Sequence, residues 1–181
     1  MKIKTLLFTG ILVLLLTMPV YGGGWDTSLI KDESTGEQLA IAHSSVTKPT
    51  NNIGFPYSDT KAWFAVACNG IDEHIAIGFN IDPDLRRVGT KNGYAIIKAK
   101  IKWDNKVKDV LFLHKRGSHI LLFHNASEAE YLLLTLYIAR SNSALLELDW
   151  HGEGKVYFDF SLKGSSAALE KICKECFNFQ K

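Results

Sequence analysis

Residues Val156–Leu162 read VYFDFSL, and residues Ile96–Trp103 read IIKAKIKW. In the first, Val156, Phe158, Phe160 and Leu162 share one side of an extended chain, while Tyr157, Asp159 and Ser161 share the other. In the second, Ile97, Ala99 and Ile101 alternate with Lys98, Lys100 and Lys102. A period of two is the mark of a strand, because successive side chains point to opposite faces. One apolar face and one wet face belong to an antiparallel sheet covered on one side. The expectation is therefore an α+β fold: an antiparallel β-sandwich-like core with two short packed helices.

Working outward, Leu162 leads into KGSSAALEKICKEC, which changes to helical spacing. Ser165 or Ser166 is placed to cap a helix, and Leu169, Ile172, Cys173 and Cys176 follow at i, i+3, i+4 and i+7. Both terminal cysteines are thus expected on the buried stripe. Upstream, SALLELDW and KVYFDFSLKG flank the turn HGEG and predict a hairpin. Before them, Ser127 and Glu130 have the spacing of a capping box, and EAEYLLLTLYIAR predicts a helix with Leu132, Leu133, Leu136 and Tyr137 on one face. VKDVLFLH and HILLFH around KRGS predict another hairpin, and KAWFAVACNGIDEHIAIGFN a third, turning at Asn69-Gly70. Phe64, Val66 and Cys68 would share a face there, opposite Trp63, Ala65 and Ala67. A further strand is expected from Gln38 to Val46, and loops at TKPTNNIGFPYSDT and IDPDLRRVGTKNG.

The first 22 residues, MKIKTLLFTGILVLLLTMPVYG, place two lysines before a short apolar run and end with Val20 and Gly22 at the spacing that signal peptidase reads. They are expected to be a secretory signal peptide, cleaved after about Gly22. A membrane anchor needs about 20 apolar residues and basic flanks; this run is shorter, contains Gly10, and is followed by glycines and Trp25. Residues 23–181 then form a single β-rich domain, periplasmic or secreted, with no integral span after cleavage. Its 181 − 22 = 159 residues bury a full core. Of 21 basic and 19 acidic residues, Lys2 and Lys4 belong to the leader, which leaves 19 of each. That balance speaks against nucleic acid as a partner.

Chemistry-bearing patterns are sparse. In CKEC the pair falls late in its helix, where the macrodipole disfavours the thiolate, so a redox-catalytic motif is not expected. A zinc site from Cys68, His74, Cys173 and Cys176 lacks the second CxxC half. In an oxidising compartment, Cys68 is expected to bond Cys173 or Cys176, with Cys173 favoured because it lies nearer the helix centre. His114, His119 and His124 do not share a strand face, so no metal and no cofactor is expected. A hydrolase assembled from His114, His119 and Asp149 is the enzymatic alternative. Asn125-Ala126-Ser127 is a glycosylation sequon. Trp25, Trp63, Trp103 and Trp150 are expected mostly in the core. Lys98, Lys100 and Lys102 are read as a solvated strand face or guarded edge, and as the candidate interaction surface.

Taken together, GGGWDTS, AWFAVACNG, HIAIGFN, the lysine-bearing strand, YLLLTLYIARSNSALLELDW and VYFDFSLKGSSAALEKICKEC resemble the periplasmic type VI secretion-associated proteins of the TagO/VasI kind. The resemblance implies a small β-rich exported accessory protein; together with the export signal, the balanced charge and the absence of nucleophile–base or metal spacing, it leads to the expectation of a non-catalytic protein acting on an envelope protein partner. It also implies that Cys68 is the strand cysteine and that its partner is a C-terminal one. The alternative is an envelope-acting inhibitor or exclusion factor that blocks a hydrolase or receptor.

Overall fold

The structure is a computed structural model and describes residues 24–31, 37–70, 72–124 and 127–179. The signal peptide expected at 1–22, and Asn125 and Ala126 of the sequon, lie outside the described residues. Ten strands form one antiparallel sheet: β1 Trp25–Lys31, β2 Gln38–Ser44, β3 Ala62–Cys68, β4 Glu73–Phe79, β5 Gly89–Lys91, β6 Tyr94–Trp103, β7 Lys106–His114, β8 Ile120–Phe123, β9 Ser143–Trp150 and β10 Gly154–Ser161. Among the described residues two helices accompany them, α1 Glu128–Arg140 and α2 Ser165–Asn178. The fold is α+β with a sandwich-like core, as the alternating stretches predict.

Nine strands run in the order β1-β2-β3-β4-β8-β7-β6-β9-β10, and β5 adds to β6. β3 and β10 stand far apart in that order, yet they pack against each other, so the sheet curls over on itself. Segment 47–51 straps the two together. Thr47 bridges Ala62, Pro49 bridges Phe158, and the Asn51 side chain donates to the Lys155 carbonyl at 3.1 Å while accepting from Tyr157 N at 3.1 Å. These bonds also occupy backbone groups of β10 that a sheet edge would otherwise leave open. At the other end of the order, the Trp25 indole donates to the Ser161 carbonyl at 3.2 Å and ties β1 to β10.

The core inherits the alternation. Ala95, Ile97, Ala99, Ile101 and Trp103 of β6 are buried, as are Val156, Phe158, Phe160 and Leu162. Phe64 on β3 meets Trp25, Trp103, Phe123 and Phe160 at centroid distances of 5.7–6.4 Å. β3 departs from the one-wet-face pattern, since all its residues are buried. On its second face the Trp63 indole lies across Gly78, its direct cross-strand neighbour, and a Cβ at Gly78 would overlap that ring.

α1 forms where the capping box predicts, with the Ser127 hydroxyl accepting from Glu130 N at 3.2 Å. Its inward side differs from the expected one. Tyr131, Leu134 and Ile138 pack on the core and Tyr137 stacks on Trp103, whereas Leu132, Leu133 and Leu136 are exposed. Apolar residues surround this helix almost completely, so periodicity could not select the face; the neighbours did. α2 packs across β1, β2 and β3 on the stripe Ser165, Ala168, Leu169, Ile172 and Cys176. Its cap position is Gly164 with φ 91°, and neither Ser165 nor Ser166 caps it. The Ser165 hydroxyl instead donates to the Ile138 carbonyl at 2.6 Å, joining the two helices.

Of the two partners expected for Cys68, the favoured one is not the one that bonds it. Cys68 bonds Cys176, not Cys173, and Cys173 is exposed. The stripe that meets the sheet turns past Cys173, which stands on its flank. Two outcomes follow. Gly78→Ala forces the Trp63 ring to move and is expected to cost about 1–3 kcal/mol in chemical denaturation; an unchanged midpoint would show that the indole does not rest there. Cys176→Ser is expected to cost about 2–4 kcal/mol, read as a lowered Tm in calorimetry.

Candidate functional site

β6 lies inside the sheet between β7 and β9, so its lysines guard no edge. Lys98, Lys100 and Lys102 are exposed on the outer face, and their cross-strand neighbours on β7 are Leu111, Asp109 and Val107. Residues directly opposite in an antiparallel pair share a face. Leu111 and Val107, 40% and 60% exposed, therefore lie among the lysines. Glu147 stands opposite Lys100 from the β9 side, but its carboxylate pairs with Lys155 at 2.9 Å. That hydrogen bond raises the Lys155 pKa. The result is a strip of three lysines and one acid, Asp109, with two apolar side chains, backed by the buried Ile97, Ile101 and Trp103 of the same strand.

The histidines are dispersed. His114 is buried at the end of β7, and its Nε2 lies 2.9 Å from the Ser118 carbonyl and 3.1 Å from the Asp82 carboxylate. Both neighbours are acceptors, so Nε2 carries a proton and donates. Asp82 also accepts from Gly117 N at 2.9 Å, and the three groups fix the β7–β8 turn. Asp149 is engaged elsewhere, 3.4 Å from Arg86, and His124 lies 3.3 Å from Lys91. The His119 carbonyl accepts from Phe79 N at 2.8 Å in the sheet. The carboxylate beside His114 is thus Asp82, not Asp149.

One exposed feature was not singled out in the sequence. Phe55 is 92% exposed at the tip of loop 53–57. Gly54 N donates to Glu153 at 3.0 Å, Tyr57 N to the Gly54 carbonyl at 2.8 Å, and the Thr60 hydroxyl to the Tyr57 carbonyl at 2.6 Å. The loop is pinned on both sides of its aromatic tip. Burial, with Asp84, Asp82 and Glu153 nearby, raises the Tyr57 pKa, which places three carboxylates beside this loop. A phenylalanine inside the turn-forming stretch GFPYSD was the available signal.

At the far end of β3, Cys68 is opposite Glu73 of β4 in register. Cys173 lies near that glutamate; partial covering of its sulfur, and then Glu73, raises its thiol pKa. Tyr131 of α1 reaches the same corner, and its hydroxyl pKa is raised by burial and by Glu73. Cys68 and Cys176 are consumed by their bond, so the four-residue zinc set named from the sequence does not assemble.

Among the described residues no three His, Cys, Asp or Glu side chains are grouped to hold a metal ion, and no helix is long and apolar enough to cross a membrane. Comparison with family models, curated proteins and solved structures finds no match for this chain.

Proposed function

We propose that the chain is an exported, non-catalytic accessory protein of a bacterial envelope assembly, associated with type VI secretion, and that it binds another envelope protein through the outer face of β6 and β7. The observation that carries this reading is the strip of Lys98, Lys100 and Lys102 with Leu111 and Val107 beside its two ends and Asp109 beside its middle lysine, exposed on interior strands. Such a strip suits a mainly acidic partner surface with apolar contacts at its two ends, where charge governs encounter and apolar contact holds the complex. The Cys68–Cys176 bond is compatible with an oxidising compartment, where the leader expected at 1–22 would deliver the chain.

The pinned Phe55 favours a second reading. An aromatic presented on a loop held from both sides costs little entropy to insert into a cleft, which is how an inhibitor blocks a hydrolase or receptor.

The two readings separate in one experiment. Mature protein is used for cross-linking capture from periplasm, and the recovered partner is then titrated against variants. Lys98→Glu, Lys100→Glu and Lys102→Glu together are expected to weaken binding by about tenfold or more, with a Tm close to that of the parent. Phe55→Ala should leave affinity unchanged. Loss of binding only in Phe55→Ala would replace the first reading by the second, and full affinity in the triple variant would remove the lysine strip from the account.

A further inference from the structure

The terminal CKEC motif has one bonded cysteine, Cys176, and one free, Cys173. Residues three apart on a helix are surface neighbours, about 5–6 Å between Cβ atoms. Cys173 is also close to Glu73, which stands directly opposite Cys68 across the β3–β4 pairing. The Cys68–Cys176 bond and the Cys173 thiol on the helix flank therefore share one corner, at the last turns of α2. The helix end is already tightening there: Phe179 N donates to both the Glu175 and the Cys176 carbonyls, each at 3.2 Å. In the tighter 3₁₀ winding, side chains at i and i+3 eclipse, so the same change one turn earlier would bring Cys173 and Cys176 together.

We propose that Cys173 is an exchange thiol that moves the disulfide from Cys68–Cys176 to Cys173–Cys176 and so releases α2 from β3. Cys173 loses its proton to solvent, and its sulfur attacks Cys176 Sγ. The Cys68–Cys176 bond breaks, and its electron pair leaves on Cys68 Sγ, which takes up a proton. One thiol and one disulfide are present before and after, so no oxidant or reductant is needed. The released Cys68 thiol has an acceptor in place, since its Sγ lies 3.7 Å from the Ile172 carbonyl.

Exchange requires the thiolate. Glu73 from β4 and Tyr131 from α1 face Cys173, and on its own helix Lys174 is paired with Glu170 at 2.8 Å. Partial covering of the thiol, and then Glu73, raises its pKa and so lowers the thiolate fraction at neutral pH further. The stapled form is therefore persistent at neutral pH, and exchange accelerates about tenfold per pH unit until the thiol ionises.

The test uses disulfide-intact protein, incubated without added thiol at pH 7 and pH 9, quenched with N-ethylmaleimide and mapped without reduction. The expected result is a growing population with Cys68 alkylated and Cys173 linked to Cys176, faster at pH 9. In Cys173→Ser, alkylation of Cys68 should fall at least about tenfold. Equal Cys68 alkylation in parent and Cys173→Ser, or Cys173-linked dimers as the only new species, would overturn the proposal. A second variant, Cys68→Ser, is treated with oxidised glutathione and is expected to close Cys173–Cys176 with the loss of two hydrogens. A persistent glutathione adduct on Cys173 with Cys176 free would contradict it, and the comparison of parent with Cys173→Ser stands even where Cys68→Ser folds poorly.

Discussion

One side chain holds the curl of the sheet. Phe64, fully buried on β3, touches rings from β1, β6, β8 and β10. A flat sheet could not bring those four strands to one residue; only a sheet bent over on itself can. Aromatic pairs at these separations add about 0.5–1.5 kcal/mol each beyond their burial. The edge-on contact with Phe160, at 89°, fixes the approach of β10 to β3. The strap 47–51 and the Trp25–Ser161 bond then lock the position that this ring defines.

The curl separates a buried side of the sheet from an exposed one. Inside lies the aromatic centre, the two helices pack over it, and the disulfide sits at one corner. Outside, β6 and β7 keep a wet face whose lysines project from strands anchored beneath by Ile97, Ile101, Trp103 and Phe112. A charged strip on such strands is held more rigidly than one on a loop, so less order has to be gained when a partner docks. Loop 53–57 achieves similar rigidity by other means, through hydrogen bonds to its own backbone and to Glu153.

Much of this architecture was legible before any coordinates, and the rest was hidden for physical reasons. VYFDFSL and IIKAKIKW alternate without a break, and both became strands with the expected residues inside. The hairpins around Asn69-Gly70, KRGS and HGEG all formed, and the capping box at Ser127 marked its helix. β1 was missed because WDTSLIK does not alternate: it is an edge strand, half-exposed on both sides, with little apolar signal to read. The face of α1 was misread because YLLLTLYIA is apolar nearly all round. Cys173 and Cys176 both fit a helical stripe over two turns, and only the docking of α2 on β1–β3 decides which of them reaches Cys68. The lysine strip was visible as a row, but its apolar members Val107 and Leu111 came from β7 and depended on register.

The central claim is that the outer face of β6 and β7 is where a partner sits in the cell. Site-specific photocrosslinking tests it most directly, with a benzophenone side chain placed at Leu111 on the lysine strip, at Phe55 on the pinned loop, and at Asp26 on the edge strand β1. The account predicts one discrete protein adduct from position 111 and none from positions 55 or 26. Adducts from position 55 alone, or from all three positions equally, would contradict it.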